Sequence, residues 1–468
     1  MTTEQRFIDF FEGKHVAILG FGREGQSTYH WLRRYLPSLP LIVCDQRSMA
    51  RTKGLFPEDA SIQWFLGDHY LEGLKEADVI VRSPGIPFDV LDNLSHQARI
   101  TSQTELFLTF FRKQVVGITG TKGKSTTASL LYHILKEAGQ PALLAGNIGT
   151  PCFEFLDRVH EGVPVVFELS SHQLQNLTVS PSVAVLLNIF EEHLDYYRSF
   201  SAYQEAKMNI FRWQAEDEYF LYDPANPVLS KLISGTFLPS KPIRLGEPEG
   251  GAGGVYCRGD DMLVVTDAGH EPFIIKNICR DRLLPGQHNL KNIAAAAVAA
   301  ILQGVSADAI ASAVAGFKGL PHRLEYIGNW RRKKFYNDSI ATIPEAAMAA
   351  VRALPDVSVL ILGGKDRGVA YGPLMQFLAS SDVKTLVFTG EAGRRMLAIA
   401  SGLKGFQYKD CIMAESFDEG IRQAIEKTPE DKICLLSPAA PSYDAFRDFE
   451  ERGERYRQLV QLNGNQAH

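Results

Sequence analysis

The sequence predicts a three-domain α/β protein, and three observations carry that prediction. Short apolar runs alternate with helical stretches, the alternation begins three times along the chain, and 468 residues are too many for one hydrophobic core. The first series opens near the N-terminus, where residues 15–19, 41–44 and 79–81 read as parallel strands buried on both faces. After a linking stretch at 101–113, a second series has its strands at 115–118, 163–169 and 183–187. Between 224 and 282 the pattern turns irregular and Gly-rich, and alternating pieces such as 262–266 predict small antiparallel strands. Residues 292–302, nearly all Ala, Val and Ile, predict a packed helix. A third series follows Gly319, with strands at 335–336, 358–362, 385–389 and 433–436. Domains of residues 1–102, 103–319 and 320–468 are therefore expected.

Composition excludes several classes of function. With 45% hydrophobic and 22% charged residues the chain is neither disordered nor fibrous. A net charge of −5 argues against a nucleic-acid or membrane surface, because each needs a basic patch to meet phosphates. Phosphorylated small molecules remain open, since they need only local positive groups. No run of about 18 apolar residues occurs, and the N-terminus lacks the basic start and apolar core of a signal peptide. The six cysteines, Cys44, Cys152, Cys257, Cys279, Cys411 and Cys434, show no CxxC pair and no metal-ligand spacing. Buried free thiols in a cytoplasmic protein are expected.

The sharpest motif runs from Gly117 through Gly120, Thr121, Lys122, Gly123, Lys124, Ser125 and Thr126, after an apolar strand and before a helical stretch. Glycines let backbone N–H groups wrap a phosphate, the helix N-terminus adds partial positive charge, and Lys124 supplies a full one. Ser125 is placed to ligate Mg²⁺. The spacing departs from the common P-loop, because Ile118 stands where that loop has its first Gly. A second motif, Gly20-Phe21-Gly22-Arg23-Glu24-Gly25, follows the first strand, and Asp45 ends the next one. That pattern suits any nucleotide with a diphosphate, so a nicotinamide-dependent oxidoreductase is a rival. A non-catalytic nucleotide-binding protein is a second rival. Glu168, His193 and Asp195 stand at or after strand ends, and Lys207 lies on a helix beginning near Ser201. α/β proteins place ligands and catalysis at such ends.

Further phrases extend along nearly the whole chain: Gly146-Asn147-Ile148-Gly149, Glu168-Leu169-Ser170-Ser171, His193-Leu194-Asp195, Gly286-Gln287-His288-Asn289, Gly319-Leu320-Pro321-His322-Arg323 and Asn337-Asp338-Ser339. In order and spacing they resemble the Mur ligase family. Ser83-Pro84-Gly85-Ile86, and Ser437-Pro438-Ala439 leading through Ser442, Asp444, Phe446 and Phe449 to Arg452-Gly453, look like its glutamate-adding branch. The resemblance implies a Rossmann-like UDP-substrate-binding domain, a central P-loop-type ATPase domain and a C-terminal Rossmann-like glutamate-binding domain that closes over the cleft.

It implies an ATP-dependent amide-bond ligase of peptidoglycan precursor synthesis, with UDP-N-acetylmuramoyl-L-alanine and glutamate as substrates. The expected cofactors are ATP and two Mg²⁺ ions, in a monomer with no nucleic-acid or membrane partner. By the same resemblance Gly120, Thr121, Gly123, Lys124, Ser125 and Thr126 hold the phosphates. Ser125, Glu168, His193 and a carbamoylated Lys207 hold the metal. Asn289 and Asn292 lie near adenine, and Arg323 and Asp338 near phosphate and ribose. Arg23, Glu24, Asp45, Gln46, Arg47, Ser83 and Gly85 would hold the uridine diphosphate. Asn147, Gln173 and His193 would line the path to the peptide end. Thr342, Arg367, Ser442 and Phe449 match the glutamate pocket, although Phe446 and Phe449 would equally suit a core pair on one helix. Departures from the family are Lys122 for the common Asn, His172 for the common Phe, and Ile340 for a Lys of the amino-acid pocket. D-glutamate is the main expectation, and addition of L-glutamate to the same acceptor is the alternative.

Overall fold

The computed structural model describes residues 3–47, 59, 61–91, 98–148, 150–192, 196–250, 252–267 and 271–465. The chain divides into two compact units, one of Met1–Asp281 with Leu290–Ala315, the other of Arg282–Asn289 with Gly316–His468.

The first unit contains two sheets. In the first, β1 (Val16–Leu19), β2 (Leu41–Asp45), β3 (Ile62–Leu66), β4 (Val79–Arg82) and β5 (Arg99–Thr101) run parallel in the order β3-β2-β1-β4-β5. Every residue of β1, β2 and β4 is buried, which explains their unbroken apolar runs. The second sheet comprises β6 (Val115–Thr119), β7 (Leu143–Gly146), β8 (Val165–Glu168), β9 (Val183–Leu186), β10 (Tyr219–Tyr222), β11 (Lys241–Arg244), β12 (Gly253–Arg258), β13 (Asp261–Val265) and β14 (Phe273–Ile275). Its order is β14-β13-β12-β11-β10-β9-β6-β8-β7. Parallel pairing runs from β7 to β12, and antiparallel pairing adds β13 and β14. Because β6 sits between β8 and β9, the chain leaves it in both directions, and a crevice forms beyond the carboxyl ends Thr119, Glu168 and Leu186.

The stretch expected to be a link at 101–113 is a helix, Gln103–Phe111, with Ser102 accepting from the Glu105 N–H as its cap. Its Phe107 and Phe111 are buried, and an aromatic cluster of Phe7, Trp31, Phe111 and Phe153 packs beside them. Apolar residues spread through that stretch have a core to fill, so it is not a linker.

The second unit holds β15 (Glu325–Trp330), β16 (Lys333–Asn337), β17 (Val357–Gly363), β18 (Thr385–Thr389), β19 (Asp410–Met413) and β20 (Ile433–Leu436), in the order β15-β16-β20-β17-β18-β19. Within this sheet, among the described residues, only the β15–β16 pair is antiparallel. Phe446 precedes the last helix, Phe449–Asn465, so the two phenylalanines are not a pair along it. Phe446 packs edge-on against Phe417 at 5.0 Å, whereas Phe449 faces His322 at 6.3 Å.

One correction and one addition concern side chains that sequence spacing could not pair. Cys257 and Cys279 form a disulfide across 22 residues, where free thiols were expected. The turn from β12 to β13 and the return after β14 bring their Cα atoms to 6.7 Å, within disulfide reach. Cys44, Cys152, Cys411 and Cys434 are free. Arg452, 2% exposed, donates to the carbonyls of Ser339 and Ala440 at 2.8 and 3.0 Å and to the Ser339 hydroxyl at 3.0 Å. Burial lowers its pKa to about 10, and the guanidinium stands as the hub of three chain segments.

Truncation of Arg452 strands these buried acceptors without donors. R452A is expected to lose roughly 3 kcal/mol of unfolding free energy. Urea titration followed by tryptophan fluorescence measures this, and a loss below about 1 kcal/mol would contradict the hub role.

Candidate functional site

The phosphate-type loop follows β6 and runs straight into helix Lys124–Glu137. Gly123, at the N-cap, has φ +88°, and a Cβ there would meet the Asn292 Oδ1 at 2.5 Å, so only glycine fits. No side chain caps this helix, which leaves its first N–H groups directed at the crevice for an anion.

The loop is pinned from the end of β9. Asn188 accepts from the backbone N–H of Thr121 and Lys122 at 2.9 and 2.8 Å and donates to the Lys122 carbonyl at 3.0 Å. The Thr121 and Tyr203 hydroxyls are 2.9 Å apart. Asn188 and Tyr203 were not singled out in the sequence, although a polar residue just past an apolar strand is the signal that could have found Asn188.

Lys124 Nζ donates to the carbonyls of Gly120 at 2.9 Å and Thr121 at 3.0 Å. Lys207 Nζ also donates to the Gly120 carbonyl at 2.9 Å, from helix Phe200–Met208, whose cap Ser199 accepts from the Ala202 N–H. At 1% exposure, Lys207 has its pKa driven well below the usual lysine value, first by burial and then by the charge of Lys124. It also lies over the Tyr203 ring at 5.0 Å.

Glu168, fully buried at the end of β8, accepts from Asn147 Nδ2 at 2.9 Å through Oε1, and its Oε2 has no hydrogen-bond partner among the described residues. A buried carboxylate oxygen left unmatched beside a phosphate loop suits a hard cation, with Ser125 on the adjoining turn. The described acids and histidines form no cluster of three or more that could hold a metal on their own. His193 and Asp195 lie outside the described residues.

Two cavities open here. The larger, about 560 Å³, gathers Arg23, Glu24, Asp45, Gln46, Arg47, Ser83 and Gly85 with Asn147 and Gln173. All seven residues expected in the first domain therefore line one space. The smaller, about 250 Å³, is lined by Lys124, Asn147, Ser170, Ser171, His172, Tyr203 and Lys207. Asn147 and Ser170 border both.

Within the larger cavity the first glycine loop is tightly wound. A Cβ on Gly25 would lie 2.1 Å from the Gly20 carbonyl. Burial works against the charge of Asp45, but Arg47 and the Phe21 N–H outweigh it and hold the carboxyl below its ordinary value. Glu24 is the opposite case. Burial pushes its carboxyl up to about 7, against weaker lowering by Gln173, Arg23 and Arg82. Its Oε1 accepts from Gln173 Nε2 at 2.9 Å, and its Oε2 is buried without a partner among the described residues. Gln173 in turn closes a capping box with Ser170. Arg23 reaches the Gly146 carbonyl at 2.7 Å.

Asn292 accepts from the Thr127 hydroxyl at 3.3 Å, behind the loop. Thr126, expected at the phosphates, is buried. In the second unit Asn289 donates to the Pro285 carbonyl at 2.6 Å. Asp338 is buried against the Ser437 hydroxyl at 2.7 Å, and burial raises its carboxyl to about 7. Arg323 and Arg367 are exposed, Thr342 and Phe449 half-buried and Ser442 buried.

Fold and site together define an α/β protein with a phosphate-type loop after β6 and a second cavity at its first glycine loop. Three family models match successive parts of the chain: the N-terminal domain of MurD-like Mur ligases over residues 14–99, the Mur ligase middle domain over 118–300 and the Mur ligase glutamate ligase domain over 322–440. A UDP-N-acetylmuramoylalanine--D-glutamate ligase of Geobacillus kaustophilus is 35% identical over 462 residues, covering 95% of this chain and 97% of that protein. A ligase of the same name from Acetivibrio thermocellus is 32% identical over 467 residues, covering 96% of each. Among solved structures, MurF from Acinetobacter baumannii aligns over 92% of this chain and 88% of its own at TM-score 0.57 and 17% identity. MurF from Thermotoga maritima in complex with ADP aligns over 96% and 95% at TM-score 0.53 and 18% identity, a likeness of fold. The chain belongs to the Mur ligase family.

Glu24 yields a pH signature. Its raised pKa means that the folded state keeps a proton the unfolded state releases between about pH 4.5 and 7, so its contribution to stability is present at acid pH and declines as pH rises through that window. In E24Q the fall of unfolding free energy from pH 5 to 7 is expected to be shallower by up to about 1.4 kcal/mol per pH unit. Urea unfolding at pH 5, 6, 7 and 8 reads this, and superimposable profiles for E24Q and the parent chain would refute it.

Proposed function

We propose that this chain is an ATP-dependent ligase that adds D-glutamate to UDP-N-acetylmuramoyl-L-alanine, in the synthesis of a peptidoglycan precursor. The observation that carries the proposal is the pair of adjoining cavities. The larger one offers a diphosphate site on the first glycine loop, the smaller one holds Lys124 and Lys207, and Asn147 and Ser170 stand between them. An acceptor anchored by its nucleotide in the first would present its acid end at the second.

In the proposed reaction an oxygen of the acceptor carboxylate attacks the γ-phosphorus of ATP, the bond to the bridging oxygen breaks, and ADP leaves. The glutamate nitrogen then attacks the acyl carbon, a tetrahedral intermediate loses inorganic phosphate, and the nitrogen gives up its proton. Lys124 and the N–H groups of the loop would neutralise charge on the transferring phosphoryl group. Gly120, Thr121, Gly123 and Thr126 would shape that cradle. Mg²⁺, when bound, would supply charge stabilisation at the phosphate oxygens. Glu168, with its unmatched oxygen, Ser125, His193 and a carbamoylated Lys207 would hold it.

Carbamoylation suits the amine's chemistry, because only a neutral amine attacks CO₂ and burial disfavours the proton on Lys207. The product replaces an ammonium with oxygen ligands. Arg23, Glu24, Asp45, Gln46, Arg47, Ser83, Gly85, Asn147 and Gln173 would bind the acceptor. Asn289, Asn292, Arg323 and Asp338 would bind the nucleoside. Thr342, Arg367, Ser442 and Phe449 would bind glutamate. Domain boundaries near residues 102 and 319 and a cytoplasmic location belong to the same proposal. No helix among the described residues is long and apolar enough to cross a membrane.

Phosphate release in the presence of ATP, Mg²⁺ and UDP-N-acetylmuramoyl-L-alanine is expected with D-glutamate and not with L-glutamate. Release with L-glutamate alone would reverse the handedness, and release with neither would refute the activity. K207A is expected to lose at least about a hundredfold in kcat and to recover part of it with added acetate or propionate, and full activity in K207A would remove Lys207 from the reaction.

A further inference from the structure

His172 shares the smaller cavity with Lys124 and Lys207, and its ring is held from outside that space. The Tyr196 ring meets it nearly edge-on at 4.2 Å with an interplanar angle of 80°, and Tyr197 lies at 5.7 Å. Tyr196 is itself fixed, its hydroxyl 2.9 Å from Gln175 Oε1, 3.2 Å from the Ile86 carbonyl and 3.3 Å from that of Pro84. The backbone beneath the imidazole is anchored too. His172 is the third residue of the Ser170–Gln173 capping box, and its carbonyl lies 3.5 Å from Arg82 Nη2. A polar ring so braced loses little entropy when it meets a ligand.

We propose that His172 is a further catalytic residue, whose imidazole N–H donates a hydrogen bond to the acyl oxygen of the acceptor. This rests on the ligase reading above. An acceptor running from the larger cavity past Asn147 and Ser170 enters the space that His172 lines together with Lys124 and Lys207. The same oxygen belongs to the carboxylate before phosphoryl transfer and to the acyl phosphate carbonyl after it, and it becomes an oxyanion when the amine attacks. A donor aimed at that position contributes most where charge develops.

The test is steady-state kinetics of the full-length chain with ATP, Mg²⁺, UDP-N-acetylmuramoyl-L-alanine and glutamate. H172F keeps an aromatic wedge and removes the donor, while H172Q restores an N–H at similar reach. H172F is expected to lose at least about tenfold in kcat with the KM for ATP unchanged, and H172Q to recover part of that loss. A kcat for H172F within about twofold of the parent would overturn the proposal, as would a loss shared in full by H172Q. If H172F does not fold in a thermal melt, H172A with added imidazole takes its place. Restored turnover supports the contact and its absence refutes it. An inactive parent chain would remove the ligase reading and this contact together, whereas an active parent with indifferent variants removes the contact alone.

Discussion

One backbone carbonyl, that of Gly120, accepts from two lysine amines, Lys124 and Lys207, each at 2.9 Å. Two ammonium groups that close repel one another, and only one of them has access to water. Lys207 is sealed under Tyr203 and the loop, so burial and the neighbouring Lys124 disfavour the proton there, while Lys124 is only half-buried. The arrangement gives two chemically identical side chains different surroundings, one partly open to water and one buried. Neighbouring contacts hold that geometry. Asn188 and Tyr203 fix the loop, Ser199 starts the helix carrying Lys207, and Asn292 closes behind Gly123.

The second organising feature is the rim common to the two cavities. Asn147 bridges them chemically as well as spatially, since its amide donates to Glu168 at 2.9 Å. Gln173 acts similarly, binding the buried carboxyl of Glu24 on one side and capping the short helix that carries His172 on the other. Residues from the first and second sheets are thus joined by hydrogen bonds at the place where an acceptor would pass. These few contacts link the glycine loop of the first sheet to the smaller cavity.

Much of the architecture was legible because most strands buried on both faces show as unbroken apolar runs, although β10 was passed over. Runs such as 41–44, 183–187 and 433–436 are apolar throughout, and each is a central parallel strand. Edge and short strands escaped notice for the converse reason. β3, β11, β14 and β19 are partly exposed, mix polar with apolar residues and carry too weak a pattern. The helix at 103–111 was passed over as a link because its apolar residues cover most of its surface and leave no clear stripe.

By itself the sequence determined the three-sheet α/β class, the phosphate-type loop and the family, because each depends on local order: apolar runs, glycine spacing and strand-loop-helix succession. Tertiary structure alone decided which side chains meet. It paired Cys257 with Cys279, made Arg452 a buried hub, raised Glu24 while lowering Asp45, and set Lys207 against Lys124 across 83 positions of chain. These outcomes turn on burial and on distances between residues remote in sequence. Both arise only when separate strands and helices are packed into one body, and no local pattern of residues encodes them.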